Sequence, residues 1–175
     1  MMKVSCHMHM GGGSHLPILM KIMGMTKGSV LELGMGLFST SYLHWACYDS
    51  QRRLVSYENK RGFFEMFDFK DKREANNKYA FHELNFVENN DWDSIDISEH
   101  WDVVLVDHNP GPRRKDEIAR LTDNANYAIV HDTNGRNDWY YKFTEVFPLF
   151  KYRYDYRAAY PQTTVLSNLK DLSNL

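Results

Sequence analysis

The chain has 175 residues, of which 43% are hydrophobic and 14% aromatic, and its formal net charge is -2. This length and composition predict one folded domain with a sizeable core and exclude a disordered chain. The near-neutral charge argues against a nucleic-acid partner and against an anionic membrane surface. No apolar run approaches the length of a membrane span, and Cys6 and Cys47 show no spacing pattern, so we expect a cytoplasmic protein.

The first residues of the chain end in a run of three glycines. We therefore expect a flexible N-terminus over residues 1–13, followed by a single domain over residues 14–175. Cys6, His7 and His9 offer metal-binding chemistry. No fourth ligand follows at a spacing that would fix such a site, so a frayed terminus is the favoured interpretation.

Ser14 is in position to cap a helix. Apolar residues then recur at helical spacing, namely Leu16, Leu19, Met20 and Met23. The simplest role of this helix is to pack on a sheet. The alternative is that it covers a ligand pocket and that His15 faces the substrate.

A strand, a glycine turn and the start of a helix are predicted between Ser29 and Thr40. Gly34 and Gly36 provide the turn and allow a ligand to approach the backbone. Glu32 precedes them; its carboxylate would repel a pyrophosphate but would favour a ligand that carries an ammonium and a sulfonium. The third glycine of the dinucleotide fingerprint is absent, because a serine stands in its place.

The next two strands are predicted at Arg53–Tyr57 and Tyr79–Val87. Glu58 ends the first of them, near the spacing from the glycine turn at which an acidic residue meets a ribose. The alternative for Glu58 is a solvated strand end. Asp91 and Trp92 follow the second strand, and Trp92 is either a core anchor or a cover for a ligand ring.

Two further strands end in acidic residues. The predicted strand Trp101–Val106 contains the unbroken apolar run Val103–Val106 and leads into Asp107 and His108, and Tyr127–Val130 leads into His131 and Asp132. The carboxyl ends of parallel strands share one sheet edge, where ligands bind. We therefore expect both aspartates to face one another at this edge, as Glu32 and Glu58 also lie there.

Two carboxylates so close would repel one another, so a positive group is expected between Asp107 and Asp132. The candidates are a divalent cation, a sulfonium, or an imidazolium from His108 or His131. Arg113 and Arg114 open the helix after the fourth strand, and they form either a solvated face or a site for an anionic substrate.

A last helix is predicted to bury Trp139, Phe143, Val146 and Phe147 on one face. Two closing strands, Tyr152–Tyr156 and Thr163–Leu166, then form an antiparallel pair.

The acidic-x-Gly-x-Gly motif at Glu32–Gly36 resembles that of class I S-adenosylmethionine (SAM)-dependent methyltransferases, and the order of elements resembles their fold over roughly residues 15–170. The resemblance implies an α/β, Rossmann-like, doubly wound, mostly parallel seven-stranded sheet with the last strand antiparallel. It also implies SAM as cofactor, held by Glu32, Gly34, Gly36 and Glu58, with Asp91 and Trp92 at the adenine.

Two segments resemble the catechol-type O-methyltransferases, namely Asp102–His108 and Ala128–Thr133. In that family the aspartates corresponding to Asp107 and Asp132 ligate a divalent metal, which implies Mg²⁺ here. The family's third ligand is an asparagine, whereas this chain has Thr133, and the family's catalytic lysine has no clear counterpart.

The expected function is SAM-dependent O-methylation of a small molecule, with a homo-oligomer partner or the N-terminal helix covering the acceptor. Asp107, His108, Asp132 and His15 are the candidate catalytic residues. Either a metal held by the two aspartates or a histidine base (His108, His131 or His15) would take the hydroxyl proton.

Three alternatives remain open from the sequence. One is an NAD-binding oxidoreductase, which shares the start of the fold. Another is a nucleic-acid amino-methyltransferase, suggested by Asn109-Pro110, although the second proline and the aromatic residue of that motif are absent. The third is a SAM-binding module without catalysis.

Overall fold

The structure is a computed structural model that describes residues 10–67 and 80–175. Residues 1–9, with the cysteine and two histidines of the predicted frayed terminus, and residues 68–79 lie outside the described part of the chain. The strands are β1 (Val30–Leu33), β2 (Leu54–Glu58), β3 (His82–Phe86), β4 (Trp101–Val106), β5 (Ala125–His131), β6 (Tyr152–Tyr156) and β7 (Thr163–Ser167). The α-helices are α1 (Leu16–Met25), α2 (Ser39–Ser50), α3 (Arg61–Met66), α4 (Arg114–Arg120) and α5 (Asp138–Tyr141).

Short 3₁₀ turns complete the described elements. They span Met10–Gly13, Glu88–Asn90, Gly111–Arg113, Gly135–Asn137, Phe143–Glu145 and Phe147–Leu149. Within residues 10–67 and 80–175, no helix combines the length and the apolar character that crossing a bilayer requires.

The strands form one sheet in the order β3-β2-β1-β4-β5-β7-β6. Strands β1 to β5 are parallel, and β7 runs antiparallel to both of its neighbours, β5 and β6. The predicted fold class is therefore confirmed. The parallel register brings the ends of β1, β4 and β5 to one edge, since Leu33 pairs with Val106 and Val106 pairs with Val130.

Apolar side chains cover both faces of the sheet, which is why its central strands are continuous hydrophobic runs. On one face, helices α1 and α2 contribute Ile18, Leu19, Ile22, Leu43 and Cys47, which pack on Val30, Val103, Leu105 and Ile129. On the other face, Trp92, Trp101, Ile118, Phe143 and Phe147 pack on Leu31, Leu33, Val104, Val106 and Val130. The two layers hold the carboxyl edge of the sheet in place.

Some predicted element details were wrong. Met20 is 51% exposed, because α1 turns Ile18, Leu19 and Ile22 inward instead. The third strand is shorter than predicted, running from His82 to Phe86, and the predicted start at Tyr79 lies outside the described residues.

The predicted last helix is broken into three pieces. Helix α5 ends at Tyr141. The next residue, Lys142, adopts a left-handed conformation with φ of 57°, and two 3₁₀ turns follow. Phe143 and Phe147 are buried as predicted, but Trp139 is 80% exposed. Pro148 contributes to the break, because a proline cannot donate a hydrogen bond within a continuing helix.

Candidate active site

A cleft of about 320 Å³ opens at the carboxyl edge of the sheet. It is lined by Gly12, His15, Met35, Gly36, Leu37, Phe38, Ser39, Glu58, Lys60, Phe63, Asp107, Asn109 and Arg114. An adjoining depression is lined by Gly11, Gly12, Asp107, His131, Asp132 and Pro161. The two share Gly12 and Asp107, so the edge forms one continuous site with the glycine turn at one end and the two aspartates at the other.

Gly34 is required by the fold itself. Its φ is +96°, and an added Cβ would lie 2.5 Å from the backbone N and Cα of His108. The positive φ agrees with the predicted turn, and the neighbour that excludes a side chain at Gly34 is the chain after β4. Gly36 differs: it lines the cleft, and a Cβ there would meet only Ser39 Oγ, at 3.6 Å.

Glu32 lies beneath the turn and does not line the cleft. Its carboxylate accepts hydrogen bonds from Thr40 Oγ1 at 2.9 Å and Ser56 Oγ at 2.7 Å. Thr40 Oγ1 in turn accepts the N–H of Gly36 at 2.9 Å. Burial raises the pKa of Glu32 from 4.5 to about 7. The carboxylate therefore supports the turn from inside the protein.

Glu58 ends β2 and lines the cleft beside the glycine turn. Its Oε2 accepts the N–H of Met35 at 2.7 Å, and its Oε1 accepts the N–H of Lys60 at 2.6 Å. Burial raises the pKa of Glu58 above its ordinary value. Each carboxylate oxygen retains a lone pair, so the group is able to accept further hydrogen bonds from a ligand.

The positive group between Asp107 and Asp132 is the guanidinium of Arg114. Nη2 lies 2.9 Å from Asp107 Oδ1, and Nη1 lies 3.1 Å from Asp132 Oδ2. Arg114 is only 4% exposed, so neither interpretation from the sequence, a solvated face or a substrate anchor, describes it. Burial opposes ionisation of Asp107, but Arg114 and His131 outweigh it and lower the pKa of Asp107 to about 2.

His131 carries a proton on both ring nitrogens in this arrangement. The only hydroxyl hydrogen of Ser14 is donated to the carbonyl of Pro161 at 2.7 Å, so Ser14 Oγ must accept from His131 Nε2 at 2.8 Å. Nδ1 lies 3.1 Å from Asp107 Oδ2, an acceptor, and so it must donate. Burial would lower the pKa of His131, but the bond to Asp107 raises it above 6.5.

His15 lies at the floor of the cleft, next to Asp107. It is 1% exposed, and neither ring nitrogen has a hydrogen-bond partner among the residues that the structure describes. Its ring stands edge-on to that of His131, with 4.8 Å between the centroids. Burial, with His131 as the next contribution, lowers the pKa of His15 to about 4, so its imidazole is neutral near pH 7.

His15, Asp107 and His131 have ligand atoms within 4.8 Å of one another, a spacing that could hold a metal ion. However, both oxygens of Asp107 and both nitrogens of His131 already have protein partners. Of these three residues, His15 is the one whose ring nitrogens have no hydrogen-bond partner in the part of the chain that the structure describes.

Two predicted roles need correction. His108 is not placed as a base, because its side chain is fully buried and its Nε2 lies 3.0 Å from Glu117 Oε2. Trp92 is a core anchor rather than a cover for a ligand ring: it is 0% exposed and stacks on His108 with 4.0 Å between ring centroids. Asp91 is exposed and lines a different depression, formed with Tyr57 and other residues around β3.

The seven-stranded sheet and the cleft at its carboxyl edge define the class I SAM-dependent methyltransferase fold. No protein-family model matches the sequence, and neither does any curated protein. Solved structures do match, and they agree with this fold.

One similar structure is the O-methyltransferase TomG from Streptomyces achromogenes, involved in tomaymycin synthesis and solved with SAM. It is 18% identical, with a TM-score of 0.59, over 87% of this chain and 77% of TomG. The O-methyltransferase from Bacillus cereus, in complex with S-adenosylhomocysteine (SAH), is 15% identical, with a TM-score of 0.58, over 92% and 82%. The N-terminal domain of human METTL16 with SAH is 11% identical, with a TM-score of 0.62, over 90% and 71%. Because all three identities are low, the likeness establishes the fold and not the acceptor.

Proposed function

We propose that this protein is a SAM-dependent methyltransferase that methylates a hydroxyl group of a small molecule. One observation carries the proposal: a single cleft joins Gly36 and Glu58, at the glycine turn, to His15 and Asp107, beside the aspartate pair. Gly36 and Glu58 suit a nucleoside with its amino-acid tail, and His15 and Asp107 suit acid–base chemistry. Gly36 and Glu58 would hold SAM, which would supply the methyl group, and His15 would take the acceptor's proton.

The cofactor end of the cleft fits SAM by its chemistry. Glu58 is the proposed acceptor of the ribose hydroxyls, because a carboxylate can accept from both at once. Gly36 leaves the cleft open along the backbone, and Glu32 stabilises the turn through Thr40. SAM, when bound, supplies a methyl group on a positively charged sulfur. Asp91 and Trp92 are not part of this proposal, given their places in the structure.

The acceptor end supplies a base. Transfer forms a bond between the acceptor oxygen and the methyl carbon, breaks the carbon–sulfur bond, and leaves SAH. The hydroxyl proton moves to a ring nitrogen of His15, the neutral histidine that lines the cleft. The carboxylates of Asp107 and Asp132 favour the resulting imidazolium, whereas burial, His131 and Arg114 disfavour it and hold the pKa of His15 at about 4. Most of the remaining rate comes from holding the sulfur, methyl and oxygen in line and excluding water.

A magnesium ion does not fit between Asp107 and Asp132. Mg²⁺ requires free oxygen ligands in a near-octahedral arrangement. The facing oxygens of the two aspartates are bound to the Arg114 guanidinium instead, at 2.9 and 3.1 Å. The proposed mechanism therefore uses no metal.

The alternative functions are less well supported. Dinucleotide-binding sheets are built from parallel strands in the order 3-2-1-4-5-6, whereas here β7 runs antiparallel between β5 and β6. Asn109 does line the cleft, as an amino-methyltransferase would require, but Gly111 and Pro112 follow Pro110. The net charge of -2 also favours a small molecule over nucleic acid.

We further propose a cytoplasmic setting, without a nucleic-acid or membrane partner. The described cysteine, Cys47, is free and buried, which is consistent with a reducing compartment. Tyr160, which is 72% exposed, directly precedes Pro161 at the acceptor end. A second copy of the chain is a candidate cover for this end.

The cofactor is tested by isothermal titration with SAM, SAH and NAD. We expect SAM and SAH to bind and NAD not to bind, because the cleft lacks a pyrophosphate cradle. Saturating SAM should also raise the free energy of unfolding by about 3 kcal/mol at a hundredfold excess over its dissociation constant. Binding of NAD without binding of SAM would overturn the proposal.

Transfer is tested by incubating the protein with SAM and catechol and measuring SAH and methylated product by mass spectrometry. His15→Ala should keep SAM affinity and lower the transfer rate by roughly a hundredfold. The exposed His100 provides a matched control, since His100→Ala should leave the rate unchanged. An RNA oligonucleotide containing adenosine is offered in parallel; methylation of the RNA in preference to catechol would favour the amino-methyltransferase. SAM binding without any transfer would favour the module without catalysis.

A further inference from the structure

We infer that Arg114 is a built-in cation that replaces a divalent metal at the acceptor end of the site. This inference rests on the proposed function, because it concerns which positive group neutralises the two aspartates in the cleft proposed for methyl transfer. It assigns to Arg114 the role of a positioning residue, which acts through Asp107 and Asp132 rather than by touching the acceptor.

The hydrogen bonds of Arg114 account for all five of its N–H groups. Nε donates to the carbonyl of His108 at 2.7 Å, and Nη1 and Nη2 donate to the carbonyls of His131 and Asp107 at 3.4 and 3.0 Å. The remaining two N–H groups face the carboxylates of Asp107 and Asp132. A guanidinium offers five donors in a rigid plane. Here every donor has an acceptor, so the group is fixed in one orientation.

These acceptors come from the ends of two neighbouring strands. Asp107 and His108 follow β4, while His131 ends β5 and is followed by Asp132. Arg114 itself begins helix α4, which leaves the sheet after β4. The guanidinium therefore ties three elements together at the point where a metal ion would otherwise bridge the two strand ends.

The charges of the cluster balance without a metal. Asp107 and Asp132 contribute two negative charges, and Arg114 and the doubly protonated His131 contribute two positive ones. His131 Nδ1 lies 3.1 Å from Asp107 and 3.8 Å from Asp132, so it faces both carboxylates. Tyr141 also donates its hydroxyl to Asp132 at 3.0 Å. A dication would have to displace a cation that is 96% buried, or be held beside two uncompensated positive charges.

Removing the guanidinium should therefore create a metal site. Arg114→Met keeps an unbranched apolar stem in the same space and leaves the two carboxylates unneutralised. Carboxylate oxygens are the ligands that Mn²⁺ and Mg²⁺ prefer. The wild-type protein, in contrast, should not bind either ion through these aspartates.

The experiment measures Mn²⁺ binding by electron paramagnetic resonance on the full chain, without SAM or acceptor. We expect Arg114→Met to bind Mn²⁺ roughly tenfold or more tightly than wild type. The gain should vanish when Asp107→Asn and Asp132→Asn are added to Arg114→Met. The matched control is Arg113→Met, because Arg113 precedes Arg114 but pairs with the exposed Asp93 and with Glu117 rather than with Asp107 or Asp132, and it should gain nothing.

Circular dichroism and a thermal melt establish whether Arg114→Met is folded. A folded variant that binds no Mn²⁺ would overturn the inference. If Arg114→Met does not fold, the wild-type protein is compared with Asp107→Asn and Asp132→Asn. Mn²⁺ binding to wild type that these two substitutions remove would overturn the inference. Mn²⁺ binding that is the same in all three proteins would support it. This readout does not depend on methyl transfer, so its failure is distinguishable from failure of the proposed function, which the SAM titration tests.

Discussion

Arg114 begins a helix, at a position where the helix dipole disfavours a positive side chain. An arginine in such a place needs a compensating partner, and the two carboxylates at the strand ends provide it. This anomaly in the sequence applies equally to its neighbour Arg113. Arg113, however, pairs with Asp93, whose side chain is 80% exposed, and with the buried Glu117. The sequence alone does not distinguish the two arginines, because the distinction depends on which face of α4 meets the sheet.

At the residue scale, we predict that substitution of the two glycines of the turn has opposite effects on stability and on SAM binding. Gly34→Ala should lower the free energy of unfolding by roughly 3 kcal/mol, because its Cβ would overlap the His108 backbone and its φ is positive. Gly36→Ala should leave stability nearly unchanged, since only Ser39 Oγ is near, but it should weaken SAM binding by narrowing the cleft. Urea denaturation and titration with SAM measure the two effects. Equal stability of both variants would show that Gly34 is not held against the chain after β4.

At the scale of elements, the turn between β1 and α2 is supported from within. Glu32 on β1 holds Thr40 on α2, and Thr40 holds the N–H of Gly36. Ser56 on β2 completes the arrangement by donating to Glu32 while lying 2.9 Å from His82 Nε2. A buried polar group of this kind is stable only when its hydrogen bonds are complete. The hydrogen bonds of Glu32 therefore connect β1, α2 and β2, while the glycine turn that they support borders the cleft.

The burial of Glu32 in this arrangement predicts that the stability of the fold depends on pH. The folded pKa of Glu32, about 7, lies above its ordinary value of 4.5 because burial disfavours the charged form. Such a group contributes its full stabilisation below pH 4.5 and loses it as the pH rises through 7. The expected loss between these values is about 3 kcal/mol.

Denaturant unfolding at several pH values measures this loss, and Glu32→Gln should abolish it. Glu65→Gln, at an exposed position, is the control and should retain the wild-type profile. A Glu32→Gln profile that runs parallel to that of wild type from pH 4.5 to 7 would contradict the prediction.

At the scale of the whole molecule, the sheet order brings residues far apart in the chain to one edge. His15 and Asp107 meet there, as do Arg114 and Asp132. The segment before helix α1 reaches this edge, where Ser14 binds both His131 and the carbonyl of Pro161. Helix α1 itself packs on the sheet, the simpler of its two predicted roles, and His15 at its N-cap lines the cleft. His15, the base in the proposed function, and Asp107 are thus contributed by segments far apart in the chain.

This arrangement predicts that methyl transfer is independent of divalent metal. We expect the rate of product formation to be unchanged by EDTA and not to increase on addition of Mg²⁺, because Arg114 already neutralises the aspartate pair. The rate is followed by mass spectrometry of SAH with catechol as acceptor. Loss of the rate with EDTA and its recovery with Mg²⁺ would show that a metal displaces the guanidinium during turnover.

The sequence by itself determined the fold and the edge of the sheet at which ligands bind. Both follow from local information: apolar runs mark buried strands, and parallel strands must end on the same side. Acidic residues that directly follow such runs, as Asp107 and Asp132 do, are placed by the strand itself.

Only the tertiary structure decided which partners these residues take. His108 and Asp107 are adjacent in sequence, yet one packs on Trp92 and the other lines the cleft. Which cation lies between the two aspartates depends on contacts between distant segments, and so does the environment of the His15 nitrogens. Hydrophobic periodicity carries no information about such contacts. A side chain's chemistry is set by what it contacts, and long-range packing, rather than spacing along the chain, determines those contacts.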